Sequence, residues 1–174
     1  MNENDKKLLE AKIREEIENE DIAQFVDDVC IMLDVEPPVF VADDDYLDKL
    51  GSIARFEVME SGDTRIVLKS NYSDKFLLLT FLAHELRHYW QYLNFGPDWM
   101  KEKSKQKLSV DEYNLQKPEL DSQAFTCFVM RDFYGIDIFF HELKDSTTEI
   151  IKKRADELEE EFYANGERFK VEVE

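Results

Sequence analysis

Ala54-Arg55-Phe56-Glu57-Val58-Met59-Glu60, then Ser61-Gly62-Asp63, then Thr64-Arg65-Ile66-Val67-Leu68-Lys69-Ser70: this stretch decides the fold. Phe56 and Val58 alternate with Arg55, Glu57 and Met59, and Ile66 and Leu68 alternate with Arg65, Val67 and Lys69. Successive side chains of a strand point to opposite faces, so period two around a short Gly-containing loop predicts a β-hairpin. Ser73 then offers an N-cap, and residues 74 to 94 are densely apolar with no Gly or Pro before Gly96-Pro97. That predicts a mostly buried helix. A hairpin feeding a long helix, with helices elsewhere, implies an α+β fold with a small antiparallel sheet.

Outward from this centre, the first 34 residues read as helical. Leu8, Ile13 and Ile17 share a face, and Ile22, Phe25, Val26, Val29 and Leu33 continue the pattern, with a break placed near Asn19 to Asp21. Pro37-Pro38 stops it, because proline lacks the amide donor and restricts the residue before it. Val39 to Ala42 is a short candidate strand ended by Asp43, Asp44 and Asp45. On the C-terminal side, residues 98 to 117 are ambiguous between loop and short helix and carry Lys101, Lys103, Lys105 and Lys107. Pro118 suits a first helical position, and the helix it opens runs to about Tyr134 and stops at Gly135. Ser146-Thr147-Thr148-Glu149 matches a capping box, with Ile151, Ala155, Leu158 and Phe162 as the core stripe of the last helix, closed by Asn165-Gly166. The expectation is one domain over residues 1–174, with an N-terminal helical segment 1–34 and a core 54–134.

Composition narrows the function. Of 174 residues, 43% are hydrophobic, enough for a packed core. Lys plus Arg number 22 against 40 Asp plus Glu, a net charge of −18. Nucleic acid and anionic membranes need cationic contacts, so this balance opposes both and favours basic partners. No apolar run approaches the roughly 20 residues that span a bilayer. The polar start MNENDKKLLE has no apolar signal region, and Cys30 and Cys127 are isolated, which fits a reducing cytoplasm. The acidic runs Asp43 to Asp45 and Glu159 to Glu161 read as solvated faces.

Chemistry concentrates in His84-Glu85-Leu86-Arg87-His88, inside the predicted helix. Residues four apart share a helix face, so both imidazoles can meet one metal ion. Glu85 sits about 100° further round, where it can reach a water on that metal as general base. Imidazole nitrogen and carboxylate oxygen suit zinc, and the lack of clustered cysteines argues against a thiolate site. A catalytic zinc needs a third protein ligand and an open position. Glu119, in Pro118-Glu119-Leu120-Asp121-Ser122-Gln123-Ala124-Phe125, is the candidate, with Asp121 as the alternative. His141 reads as a surface or capping residue. Tyr113, His141 and Arg87 are candidate oxyanion donors, Trp99 a candidate lid residue, and the strand Thr64 to Ser70 either a peptide-accepting edge or a strand paired on both sides.

The order of hairpin, Thr80-Phe81-Leu82-Ala83-His84-Glu85-Leu86-Arg87-His88 and Glu119-Leu120-Asp121-Ser122-Gln123-Ala124-Phe125 resembles the ImmA/IrrE-type metallopeptidases of bacteria and phages, over roughly residues 50 to 134. Those share the gluzincin active site and a zincin-like fold, with H-E-x-x-H followed by approximately E-x-x-A-[ND]-x-F-A. The resemblance implies His84, His88 and Glu119 as zinc ligands and Glu85 as general base. Ser122, Gln123 and Thr126 depart from the second motif, and Gln123 is left as a candidate hydrogen-bond partner for a ligating His. The resulting expectation is a cytoplasmic zinc-dependent endopeptidase acting on a protein or peptide substrate and encoded in a prophage. The alternatives are a non-enzymatic acidic binding protein, such as a phage anti-repressor or DNA mimic, and a structural zinc protein. The intact Glu85 favours the enzyme, because a structural site needs no base.

Overall fold

The structure, a computed structural model, describes residues 20–101 and 108–164. Among them are seven helices and three strands: α1 (Glu20–Leu33), β1 (Val39–Ala42), α2 (Asp44–Leu50), β2 (Ala54–Val58), β3 (Thr64–Leu68), α3 (Lys75–Phe95), α4 (Pro97–Lys101), α5 (Val110–Asn114), α6 (Lys117–Tyr134) and α7 (Asp145–Tyr163). The expected helix before Asn19, the side chains of the lysine cluster at 101–107 and the closing Asn165-Gly166 lie outside the described residues. The described residues fall into two compact units, one ending at Tyr89 and the other beginning at Trp90, so α3 contributes to both.

In the first unit, β2 and β3 pair antiparallel, with Phe56 opposite Ile66 and Ala54 opposite Leu68. The sheet is mixed, not antiparallel as expected. β1 lies parallel to β3, Val39 opposite Arg65 and Ala42 opposite Leu68, in the order β1-β3-β2. Parallel neighbours need a crossover connection, and α2 with β2 supplies it. β3 is therefore the central strand and offers no free edge to a peptide. Ile66, Val67 and Leu68 are all buried, the continuous burial of a strand covered on both faces rather than the alternation of a half-exposed one.

Asp43 and Asp45 are exposed, as a solvated run should be, but Asp43 and Asp44 also carry structural hydrogen bonds. The Asp43 carboxylate accepts the Tyr46 N–H and caps α2. The Asp44 carboxylate accepts the Ser70 and Asn71 N–H groups, fastening the chain that leaves β3. Asp74, not Ser73, caps α3: its Oδ1 accepts the Phe76 and Leu77 amides at 2.9 and 3.2 Å. Lys75 pairs with Asp21 at 2.7 Å, joining the starts of α3 and α1. Leu78, Leu79, Leu82, Ala83 and Leu86 of α3 are buried, as are Ile22, Phe25, Val26, Val29 and Leu33 of α1.

In the second unit, α6 and α7 form the core. Phe128 stacks on Phe162 at 5.5 Å between centroids and meets Phe125 edge-on, while Ile151, Ala155 and Leu158 of α7 are fully buried. Gly135 ends α6 in the left-handed conformation (φ 66°), its N–H bonded to the Arg131 carbonyl and the Ile136 N–H to that of Met130. Only glycine takes this backbone geometry without strain. The expected capping box at Ser146–Glu149 does not form, because α7 begins at Asp145 and places those residues within its first turn. Asp111 serves that helix end instead, accepting the Lys144 N–H and the Thr147 hydroxyl. A capping box does form at Ser109 and Glu112, starting α5. Glu159 and Glu161 are ion-paired to Arg131 and Arg154, each at 2.7 Å, so that run also has partners.

Candidate metal centre

The site begins with helix geometry. His84 and His88 stand one turn apart on α3, with Nε2 atoms 3.0 Å apart and ring planes at 85°. His88 is fully buried and His84 half-buried. Two ring nitrogens aimed at one point need something between them to share, a proton or a cation.

Glu119 occupies the first turn of α6 and is 2% exposed. A carboxylate that deep needs hydrogen bonds or a cation to offset its lost hydration. The Tyr113 hydroxyl donates to its Oε1 at 3.0 Å. His84, His88 and Glu119 each offer one ligand atom, all within 4.8 Å of one another, so the group could hold a metal ion. The fit also holds chemically, because two imidazoles and a carboxylate are a donor set zinc accepts at about 2.0–2.2 Å.

Within the second unit, the end of α3 is bonded to the start of α6. Gln91, three residues after His88 and fully buried, points its Nε2 at the Pro118 carbonyl (3.0 Å), Asp121 Oδ2 (3.0 Å) and Ser122 Oγ (3.2 Å). All four residues belong to the second unit, so this clamp fastens the start of α6 within that unit. Asp121, the alternative third ligand, is committed elsewhere: it takes Gln91 and, at 3.4 Å, Arg154. It is absent from the ligand group found among the described residues.

Glu85 is 8% exposed, and its Oε2 accepts the Phe56 N–H of β2 at 2.6 Å. Among the described residues its other oxygen accepts no hydrogen bond. The carboxylate is thus anchored on one oxygen by a backbone amide.

The remaining candidates separate. Gln123 donates to Asn114 Oδ1 at 2.9 Å and serves no histidine. His141 is exposed, packs edge-on against Phe139 and is not among the three grouped ligands. Arg87 is buried. Trp99 lies tilted against Phe95 at 4.8 Å between centroids, and its indole N–H is buried without a partner among the described residues. Sequence reading missed Gln91. Its signal was present all the same: a polar residue three positions past His88 falls on the ligand face of an apolar helix. The Phe56 anchor left no local signal. Both thiols lie outside this chemistry. Burial raises Cys30 to about 12, helped by Asp27 and Glu36, and burial likewise raises Cys127 to about 12.

No helix among the described residues is long and apolar enough to cross a membrane. In comparisons with protein-family models, curated proteins and solved structures, none matched this chain.

Proposed function

We propose that this chain is a cytoplasmic zinc-dependent endopeptidase of the ImmA/IrrE type, with a zincin-like catalytic core. The observation that carries the reading is the metal-competent group His84, His88 and Glu119 next to Glu85, a carboxylate anchored on one oxygen only. Zinc held there would supply Lewis acidity toward the scissile carbonyl and an acidified water. Glu85 would take the proton of the attacking water and pass it to the leaving amine. The Phe56 N–H would hold that carboxylate in one orientation through both transfers. The ligand set is three residues, which leaves a fourth tetrahedral place open, as catalytic rather than structural zinc requires.

The charge of −18 supports a second reading, an acidic protein that binds a basic partner without cutting it. Two measurements separate the two. Protein purified without added metal should carry about one zinc per chain by elemental analysis. Digestion of a peptide library, read by mass spectrometry, should show cuts that vanish in Glu85→Gln. Zinc-free protein that regains no metal on titration sinks the enzyme reading. Tight partner binding that is identical in both forms, with no cleavage, supports the second.

A further inference from the structure

The short helix α5 is fastened more heavily than five residues ordinarily are. Ser109 and Glu112 cap its start reciprocally. Asp111 accepts the Lys144 N–H at 3.0 Å and the Thr147 hydroxyl at 2.7 Å, tying it to the start of α7. Asn114 Oδ1 accepts Gln123 Nε2 at 2.9 Å, tying it to α6. A helix this short has little stability of its own, so these ties are what hold it in place. Between Asp111 and Asn114 stands Tyr113, whose hydroxyl donates to Glu119 Oε1 at 3.0 Å.

We propose that Tyr113 is a positioning residue for the metal centre, and that α5 exists to aim it. The inference rests on the proposed use of Glu119 as a metal ligand. A carboxylate can bind an ion through one oxygen or two. With Oε1 engaged by a phenol O–H, one of its lone-pair directions is already filled and the carboxyl plane is fixed. Glu119 then ligates through a single oxygen, in a constant orientation, and the coordination place that a second oxygen would occupy remains for the reactants. Partners of metal ligands act in this way: they fix the orientation of the ligand and raise affinity for the ion. Tyr113 is 37% exposed, so its role is not that of a core residue.

The test uses the full chain, stripped of metal and titrated with Zn2+ against a chromophoric chelator, then with Co2+ for its visible spectrum. Tyr113→Phe keeps the ring and removes only the hydroxyl. Its metal-free melting temperature should match the wild type, while Zn2+ affinity should fall by about 10–100-fold. The Co2+ bands should weaken as Glu119 turns to two-oxygen binding and coordination rises from four to five. Asn114→Ala, which loosens α5 from Gln123 but keeps the hydroxyl, should lose affinity in the same direction by less. Affinity within twofold of the wild type together with an unchanged Co2+ spectrum in Tyr113→Phe overturns the inference. Wild-type protein that binds neither ion overturns the metal reading and this inference with it, whereas a wild type that binds well beside an unaltered Tyr113→Phe sinks the inference alone.

Discussion

Glu85 offers the sharpest perturbation, because the proposed function gives its two oxygens separate tasks. Oε2 holds the buried Phe56 N–H at 2.6 Å, and the residue is 8% exposed. Hydrogen bonds to charged groups contribute about 1.5–3 kcal/mol and neutral ones about 0.5–1.5 kcal/mol. Glu85→Gln keeps an acceptor for Phe56 and trades a charged bond for a neutral one. It also removes a carboxylate whose burial is itself unfavourable, so the two changes oppose each other. The net effect should stay within about 1 kcal/mol, or about 2–4 °C in melting temperature for a chain of this size. Glu85→Ala leaves the Phe56 amide buried without an acceptor, costing about 1–3 kcal/mol more. Stability should therefore rank wild type and Gln together, with Ala clearly below, in urea unfolding of the metal-free protein. Turnover should fall by about 10²-fold or more in both variants, since both lack the base. An alanine variant as stable as the glutamine one would refute the anchoring role, and a glutamine variant that cleaves at the wild-type rate would refute the base assignment.

His84→Ala should lose both metal content and activity, measured by elemental analysis beside a peptide digest. Cys30 and Cys127, both raised to about 12, should react negligibly with a disulfide reagent at pH 8 in the folded protein and fully in denaturant; fast native labelling would contradict their burial. The Asp111 carboxyl is lowered by its hydrogen bonds to the Thr147 hydroxyl and then the Lys144 amide. A lowered folded value means its contribution is present above the ordinary carboxylate range and is lost as pH falls from there through the lowered folded value, so Asp111→Asn should flatten the acid limb of the stability–pH curve. Phe128→Ala should destabilise by about 3–5 kcal/mol in chemical denaturation, since it removes a fully buried ring packed on Phe125 and Phe162.

What was legible in the sequence was local. The pairing of His84 with His88 follows from helix pitch, the stop at Gly135 from backbone permissiveness, and the facing of Phe56 and Ile66 from period-two alternation across a short turn. What was not legible depended on residues far apart along the chain. Nothing near Val39 announces that it will lie parallel to Arg65. Ser146–Glu149 has the spelling of a capping box, yet Asp111, 36 residues before Thr147, serves that helix start instead. The real box at Ser109 and Glu112 was hidden in a stretch whose weak hydrophobic pattern left loop and short helix equally open. Glu119 and Asp121 were both left open as ligands because the sequence does not reveal that Gln91 and Arg154 occupy Asp121.

The parallel pairing of β1 with β3 has a consequence for the order of events in folding. Val58 and Thr64 are six residues apart, whereas Val39 and Arg65 are 26 apart. Loop-closure entropy grows as (3/2)RT ln n, so the longer closure costs about 1.3 kcal/mol more before any contact rewards it. The β2–β3 ribbon should therefore assemble first, with β1 adding to it after the transition state. Weakening β1 should then chiefly hasten unfolding, while weakening the β2–β3 pair should chiefly slow refolding. The Phe56 amide that anchors Glu85 belongs to the early ribbon, so Glu85 acquires its partner as soon as α3 docks, independently of the strand that arrives last.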